Sequence, residues 1–288
     1  MQARMTIFAA SDDRTMGSPS RMPVYYLAHG GGPWPFMQGP FREMFSALED
    51  MLRGIPRQLP ARPCAVLVIS AYWEAARFTL STATRPGTIH DYAGFPESMY
   101  RIAYPAPGAP DVAMAVAALL ETAGFPVAFD GERGYDHGTY GVLAPIYPDA
   151  DVPVLQMSIR WPLDEAEHLA VGKALTPLRD NGILIIGSGQ SFHKLALRGP
   201  QAHEASDQFD HWLRRVMEAP VAARNEALIA WAKAPATRIA HPHADHLIPL
   251  HVAAGAASDD AGVCVFSDRI ADIATSVYRF AGRLAMST

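Results

Sequence analysis

The feature that most limits the fold is a series of short apolar runs, each bounded by Gly, Pro, Asp or Ser: Val24–Leu27, Ala65–Ser70, Arg77–Ser81, Pro153–Ser158, Ile183–Ile186 and Val263–Phe266. Runs of this length and composition predict strands. Between them lie longer segments with apolar residues at helical spacing: Phe41–Leu52, Asp111–Ala123, Asp164–Arg179, His203–Met217, Arg224–Lys233 and Ala244–Ala256. Asp111–Ala123 places Val112, Val116, Leu119 and Leu120 on one face and stops at Gly124, while Asp164 stands where an N-cap belongs. Strands alternating with helices specify a single-domain α/β fold, a central, mostly parallel sheet flanked by helices. That domain is expected over residues 23–288. Residues 1–22, polar and without period, are read as a flexible leader.

Composition removes several functional classes. The 288 residues are 49% hydrophobic and 18% charged with a net charge of −5, so no basic surface for nucleic acid or anionic membrane is implied. The longest apolar stretches, such as Cys64–Ile69, are too short to span a bilayer, and Met5–Ala10 is too short for a secretory core. A cytoplasmic protein is expected. Cys64 and Cys264 stand alone in apolar runs without metal-site or redox spacing, and are read as reduced, buried core thiols.

Histidine carries the chemical signal. His29 follows the first predicted strand and opens a run of three glycines, Gly30-Gly31-Gly32, that lets backbone approach a ligand. His193 follows the strand Ile183–Ile186 through another Gly-rich turn. Ligand crevices of α/β sheets open beyond the carboxyl ends of strands, where both fall. His137 lies in the turn Gly134-Tyr135-Asp136-His137-Gly138, compatible with an acid/base imidazole oriented by its neighbouring aspartate, or with a turn histidine satisfied by backbone. In His241-Pro242-His243-Ala244-Asp245-His246, a helix starting at Pro242 puts His243 and His246 on one face. The excursion Thr82–Pro110 holds His90-Asp91-Tyr92 and Phe95, and reads equally as a rigid pocket wall or as a loop packed on itself. Trp34, His90, Tyr92, Phe95 and Trp161 are candidates for a substrate pocket, and each is equally a candidate for ordinary packing. No Gly-x-Ser-x-Gly elbow, His-Glu-x-x-His or P-loop is present, which argues against a serine hydrolase, a zincin or an NTPase.

Seven segments in one order add a resemblance: HGGGPWPFM at His29, SAYWE at Ser70, IHDYAGFP at Ile89, YPAPGAP at Tyr104, YDHGTYGVLAPIYPDADVPVLQMSI at Tyr135, GKALTPLRDNGILIIGSGQSFHKL at Gly172 and HPHADHLIPLHVAAGAA at His241. From about Pro23 to Ala256 the chain resembles the DOPA-type extradiol ring-cleaving dioxygenases of the class III superfamily, which includes the protocatechuate 4,5-dioxygenase catalytic subunit. The resemblance implies a mononuclear non-haem metal, Fe(II) when active or Zn(II) as isolated. It makes His29 and His246 ligands, His193 a further ligand or the acid/base, and His137 a pocket residue. The implied partners are a catechol-type aromatic substrate and O₂, and homo-oligomer formation is left open.

One departure matters. The family's second ligand is the His of Ser-Ala-His-Trp, and this chain reads Ser70-Ala71-Tyr72-Trp73. A phenol must lose its proton to become a strong ligand. Three outcomes stay open: Tyr72 ligates an altered metal, His29, His193 and His246 carry the metal without it, or Tyr72 abolishes the site and no metal is bound. The leading expectation is extradiol ring cleavage with His193, His137 and Tyr72 in the catalytic pocket. The alternatives are lyase, hydratase, tautomerase or hydrolase chemistry on a related aromatic compound with Tyr72 and His193 as acid/base, and an aromatic-binding protein without turnover. Tyr72 itself is expected to direct its hydroxyl to a histidine, metal or ligand.

Overall fold

The computed structural model describes residues 21–194 and 199–281. Among them, eight strands form one sheet: β1 (Val24–Ala28), β2 (Ala65–Ala75), β3 (Phe78–Ser81), β4 (Val127–Asp130), β5 (Val154–Arg160), β6 (Ile183–Gly189), β7 (Gly262–Ile270) and β8 (Ile273–Phe280), ordered β4-β3-β5-β2-β6-β1-β8-β7. The centre, β5-β2-β6-β1, is parallel, as is β3 with β4. Antiparallel pairings join β3 to β5, β1 to β8 and β8 to β7. The helices are α1 (Pro40–Glu43), α2 (Ser46–Gly54), α3 (Pro110–Thr122), α4 (His137–Ile146), α5 (Glu165–Leu175), α6 (Pro200–Glu218), α7 (Val221–Ile229), α8 (Thr237–Ala240) and α9 (Ile248–Ala256).

The central strands are apolar throughout because both faces are covered. Val66, Val68, Leu184 and Ile186 pack with Leu48 and Leu52 of α2 and with Tyr140, Val142 and Leu143 of α4. The alternate residues Leu67, Ile69, Ile183 and Ile185 pack with Val116 of α3, Leu175 of α5, Phe209 of α6 and Val252 of α9. Parallel β1, β2 and β6 therefore end at the same edge, and the functional groups gather there.

The predicted strands and the α/β class match the structure, and Asp164 caps α5 by accepting from the Glu167 N–H at 2.7 Å. Other expectations need correction. Residues 137–146 form a helix rather than a turn, and Asp136 caps it by accepting from Thr139 N–H. Helix α9 starts at Ile248, so His243 and His246 share no helical face. The helix expected over 41–52 breaks at Phe45, which turns inward against Trp34 with ring centroids 5.1 Å apart. Strands β4 and β8 were not anticipated. Cys64 is exposed and Cys264 half-buried, and both thiols are free. Of the expected leader, residues 1–20 lie outside the described residues, while Met22 is buried and its backbone exchanges hydrogen bonds with Arg179. No helix among the described residues is long and apolar enough to cross a membrane.

Candidate active site

His29 comes first past β1 and is completely buried. Its backbone is held on both sides: His29 N–H donates to Gly189 O at 3.2 Å, and the Trp34 indole donates to His29 O at 2.7 Å. Gly30, at φ 74°, allows that return, since a Cβ there would meet the indole nitrogen at 2.5 Å. His29 Nδ1 lies 2.9 Å from Gly30 O, which fixes the proton on Nδ1 and leaves Nε2 as a buried lone pair with no hydrogen-bond partner. Burial, reinforced by His246, His137 and His193, drives the His29 pKa well below the ordinary histidine value, so the ring is neutral.

His246 precedes α9 and is fixed by its own carbonyl, which accepts from Tyr26 Oη at 2.7 Å and from Gln190 N–H at 3.1 Å. Gly189 at the end of β6 permits this contact, because a Cβ there would sit 2.1 Å from the same carbonyl oxygen. Both His246 nitrogens are buried without hydrogen-bond partners. Asp245 Oδ2 stands 3.0 Å from Nδ1, within ion-pair range but off the hydrogen-bonding direction. Burial and the neighbouring histidines lower the His246 pKa strongly. The His29 and His246 rings are 5.1 Å apart, and ligand atoms of His193, Asp245 and His246 all fall within 4.8 Å of one another. His29 stands outside that cluster, but its buried, unpaired Nε2 belongs to a ring 5.1 Å from His246, and neutral imidazoles with unpaired lone pairs near a carboxylate are the donor types a divalent transition metal takes. The residues present fit a metal.

His193 lies flat on His246, with ring centroids 3.3 Å apart and planes within 12°. Lone pairs lie in the ring planes, so two nearly parallel stacked rings do not converge on one ion. Burial lowers the His193 pKa, against the opposing charge of Asp245.

Tyr72 reaches the site through a break in strand register. Ser70 of β2 pairs with Ser158, but the next pairing, Ile159, is with Glu74. Ala71, Tyr72 and Trp73 are thus looped out of the β5 ladder, a re-aiming device common beside active sites. The Tyr72 ring lies 3.9 Å from His137, 4.9 Å from His246 and 5.1 Å from His29. The Tyr72 ring lies among the histidines, and its hydrogen bonds to other described residues run through its backbone: N–H to Ser70 Oγ, and carbonyl from Arg133. Burial, with Asp91, Asp245 and Asp136 adding to it, raises the phenol pKa, so the hydroxyl keeps its proton.

His137 opens α4 and is oriented by a distant aspartate. Its Nδ1 is 2.7 Å from Asp91 Oδ1, which also accepts the His137 N–H at 3.2 Å. The neighbouring Asp136, expected to play that part, instead accepts from Ser70 Oγ and Thr139 N–H on one oxygen, and from Gln156 Nε2 and Arg133 on the other.

A cavity of about 420 Å³ reaches Tyr72 and His137, whose rings separate it from His29 and His246. Its floor includes Tyr72, His137, Asp91 and Gln190, and its walls include Tyr92, Phe95 and the turn between β7 and β8. The Thr82–Pro110 excursion is therefore a pocket wall.

A family model described as the catalytic LigB subunit of aromatic ring-opening dioxygenase matches residues 23–284. The chain belongs to this family. Among curated relatives of this ring-opening dioxygenase, a 4,5-DOPA dioxygenase extradiol of Beta vulgaris is 39% identical over 69% of this chain and 75% of its own. The dioxygenase tasH of Hapsidospora irregularis is 33% identical over 90% and 86%. A crystal structure of an uncharacterized protein from Escherichia coli K12 superposes with a TM-score of 0.71 at 26% identity, covering 91% of this chain and all of that one.

Set against the sequence reading, the fold gathers His29, Tyr72, His137, His193 and His246, and it lines the cavity with Tyr92 and Phe95. Trp34 is not a wall residue; it is buried in the core and supports the His29 carbonyl. His90 lies behind the wall with Nε2 at 3.1 Å from Ile102 O. Trp161 is 60% exposed and stacks on His243, outside the pocket. The sequence reading missed Asp91, Asp245, Gln190 and the β7–β8 turn. The acidic neighbours of His90 and His246 were a visible signal; nothing local marked the turn.

Proposed function

We propose that this dioxygenase opens a catechol-type ring at a single divalent metal, Fe(II) in the active form, held by His29 and His246 with Asp245 beside them. Two histidines and a carboxylate are the donors that leave positions open for substrate and O₂ on Fe(II). A metal held there would supply Lewis-acid binding of the diol and activation of O₂.

The chain's own groups then divide the remaining work. His193, stacked flat on His246, is better placed as acid/base than as co-ligand; its neutral imidazole would take a phenolic proton and hold it for return to a substrate oxygen. His137, with its Nδ1 proton committed to Asp91, turns a lone pair into the cavity and accepts from a substrate hydroxyl. Tyr72 supplies a protonated hydroxyl between these rings and hydrogen-bonds substrate or oxygen. Phe95 and the β7–β8 turn keep bulk water away. The observation that carries the reading is the pair of orphaned imidazole lone pairs on His29 and His246, packed against Tyr72 and His137 of an aromatic-lined cavity.

The test is anaerobic loading with Fe(II), followed by oxygen and a panel of catechols. The expected result is stoichiometric O₂ uptake with a yellow ring-opened product. Lack of both across the panel, with iron retained, overturns the proposal.

A further inference from the structure

We propose that the cavity selects catechols whose ring substituent is uncharged and apolar, in preference to those bearing a carboxylate or an ammonium; this rests on the ring-opening reading above. The substituent of any catechol seated in the cavity with its diol at the Tyr72 and His137 end, the side nearest His29 and His246, must lie against the remaining lining. That lining is dominated by Phe41, Phe45, Phe95, Phe192, Ile270 and Ile273. These side chains come from four separate stretches of the chain, so the apolar surface surrounds the space instead of bordering one side.

Charge is sparse in the lining and of one sign. Among the described residues, the cavity is lined by no lysine or arginine, and Asp91 is its one carboxylate. Asp91 is already committed to His137 through both the ring and the backbone N–H. A carboxylate on the substrate would leave water without a cationic partner and would face Asp91. An ammonium would meet only Asp91 Oδ2, on a carboxylate whose Oδ1 already holds His137, and would compete with that orientation. Gln190 donates its Nε2 to Gly30 O at 2.8 Å, so that donor is not offered to a substrate carboxylate. An apolar chain loses nothing by entering, and each methylene that leaves water gains about fourfold in affinity, the equivalent of about 0.8 kcal/mol. A volume of about 420 Å³ holds a ring with such a chain.

Anaerobic calorimetry on the protein as purified tests this without turnover, using 4-ethylcatechol, 4-butylcatechol, 3-(3,4-dihydroxyphenyl)propanoate and 3,4-dihydroxyphenethylamine. The expected order has 4-butylcatechol binding roughly tenfold tighter than 4-ethylcatechol, and at least tenfold tighter than either charged compound. Equal or tighter binding of the acid or the amine, no gain from ethyl to butyl, or no binding of any overturns the proposal. Butyl-favoured binding without ring opening after Fe(II) loading sinks the dioxygenase reading and leaves the selectivity standing. Ile270→Arg, at a half-exposed position on the cavity wall, is expected to narrow the gap between 4-butylcatechol and the propanoate at least tenfold with the thermal midpoint retained. An unmoved ratio in a folded variant means the substituent does not lie in this cavity, and also overturns the proposal.

Discussion

Asp136→Asn tests whether the buried carboxylate joins β2 to α4 as the geometry indicates. Its Oδ1 accepts from Ser70 Oγ at 2.7 Å and Thr139 N–H at 3.0 Å, and its Oδ2 from Gln156 Nε2 at 2.6 Å and Arg133 at 3.0 Å. All four partners donate, so an asparagine must face two of them with its own donor. With the amide on the Oδ2 side, it opposes Arg133 and Gln156, and Gln156 is held against flipping because its Oε1 accepts from Thr139 Oγ1 at 2.8 Å. With the amide on the Oδ1 side, Ser70 can rotate to accept but the Thr139 N–H cannot, and the helix cap worth about 1 kcal/mol is lost. Either way Arg133 loses its anionic partner. Breaking a buried pair costs about 3–5 kcal/mol, but Arg133 retains some access to water, which places the expected loss near the low end, about 3 kcal/mol. Urea unfolding should show the midpoint falling by roughly 1–2 M at constant m, and the thermal midpoint by roughly 6–12 °C. A Ser70→Ala, Asp136→Asn double-mutant cycle should give non-additive losses. A loss below about 1 kcal/mol, or strict additivity with Ser70→Ala, refutes the network.

Other outcomes follow from the same structure. His168 is buried with Nδ1 2.6 Å from Asp164 O and Nε2 accepting the Arg160 N–H, and burial pulls its pKa down to about 4. A lowered folded value means its contribution is present above the unfolded value of about 6.5 and is lost as pH falls through 4, so stability should drop by roughly 3 kcal/mol over that window. His168→Gln should flatten the acid limb, as read by denaturant titrations at each pH. Gly189→Ala puts a Cβ 2.1 Å from His246 O, against ordinary contacts of at least 3.4 Å, so His246 must shift. Metal affinity measured by chelator competition should fall at least tenfold, and wild-type affinity in a folded variant contradicts the close approach. Asp91→Asn should lower kcat by roughly 10–100-fold with little change in thermal midpoint, because the His137 tautomer is no longer enforced. Tyr72→His sets a third imidazole beside His29 and His246 and should raise metal affinity tenfold or more; an unchanged affinity removes position 72 from the metal's surroundings.

The central sheet was legible because its strands are buried on both faces and carry unbroken apolar runs between turn residues. Helix α4 was not, since Gly138, Gly141 and Pro145 argue against a helix on propensity, and what holds it is burial against Val66, Val68 and Leu184 together with the Asp136 cap. The site was legible where a histidine ends a strand, as with His29, and wherever an adjacent motif named it. It was illegible where function depends on partners distant in sequence. Asp91 meets His137 across 46 residues, and the β7–β8 turn walls a cavity whose floor comes from β2, α4 and the end of β6. Trp34 looked like a pocket aromatic because sequence shows a residue's type and not which way the chain turns after Gly30.

The substitution at position 72 is better understood as part of the bulge than as a lost ligand. Ala71, Tyr72 and Trp73 leave the β5 ladder together, and the neighbours that receive them are specific. The Trp73 ring takes the Arg133 guanidinium at 4.4 Å, the same Arg133 donates to Tyr72 O at 3.3 Å and to Asp136, and Ser70 closes the loop by bonding both Asp136 and the Tyr72 N–H. A position that had merely drifted would not need a backbone held at both its N–H and its carbonyl. This one is held so that its ring meets three histidines at once. In the proposed site, with a neutral phenol at position 72, the charge offered to a divalent ion would come from Asp245, and the tyrosine hydroxyl would be left to donate a hydrogen bond. Ring opening needs such a donor wherever negative charge collects on oxygen, and a histidine bound to the metal could not supply one from the same place.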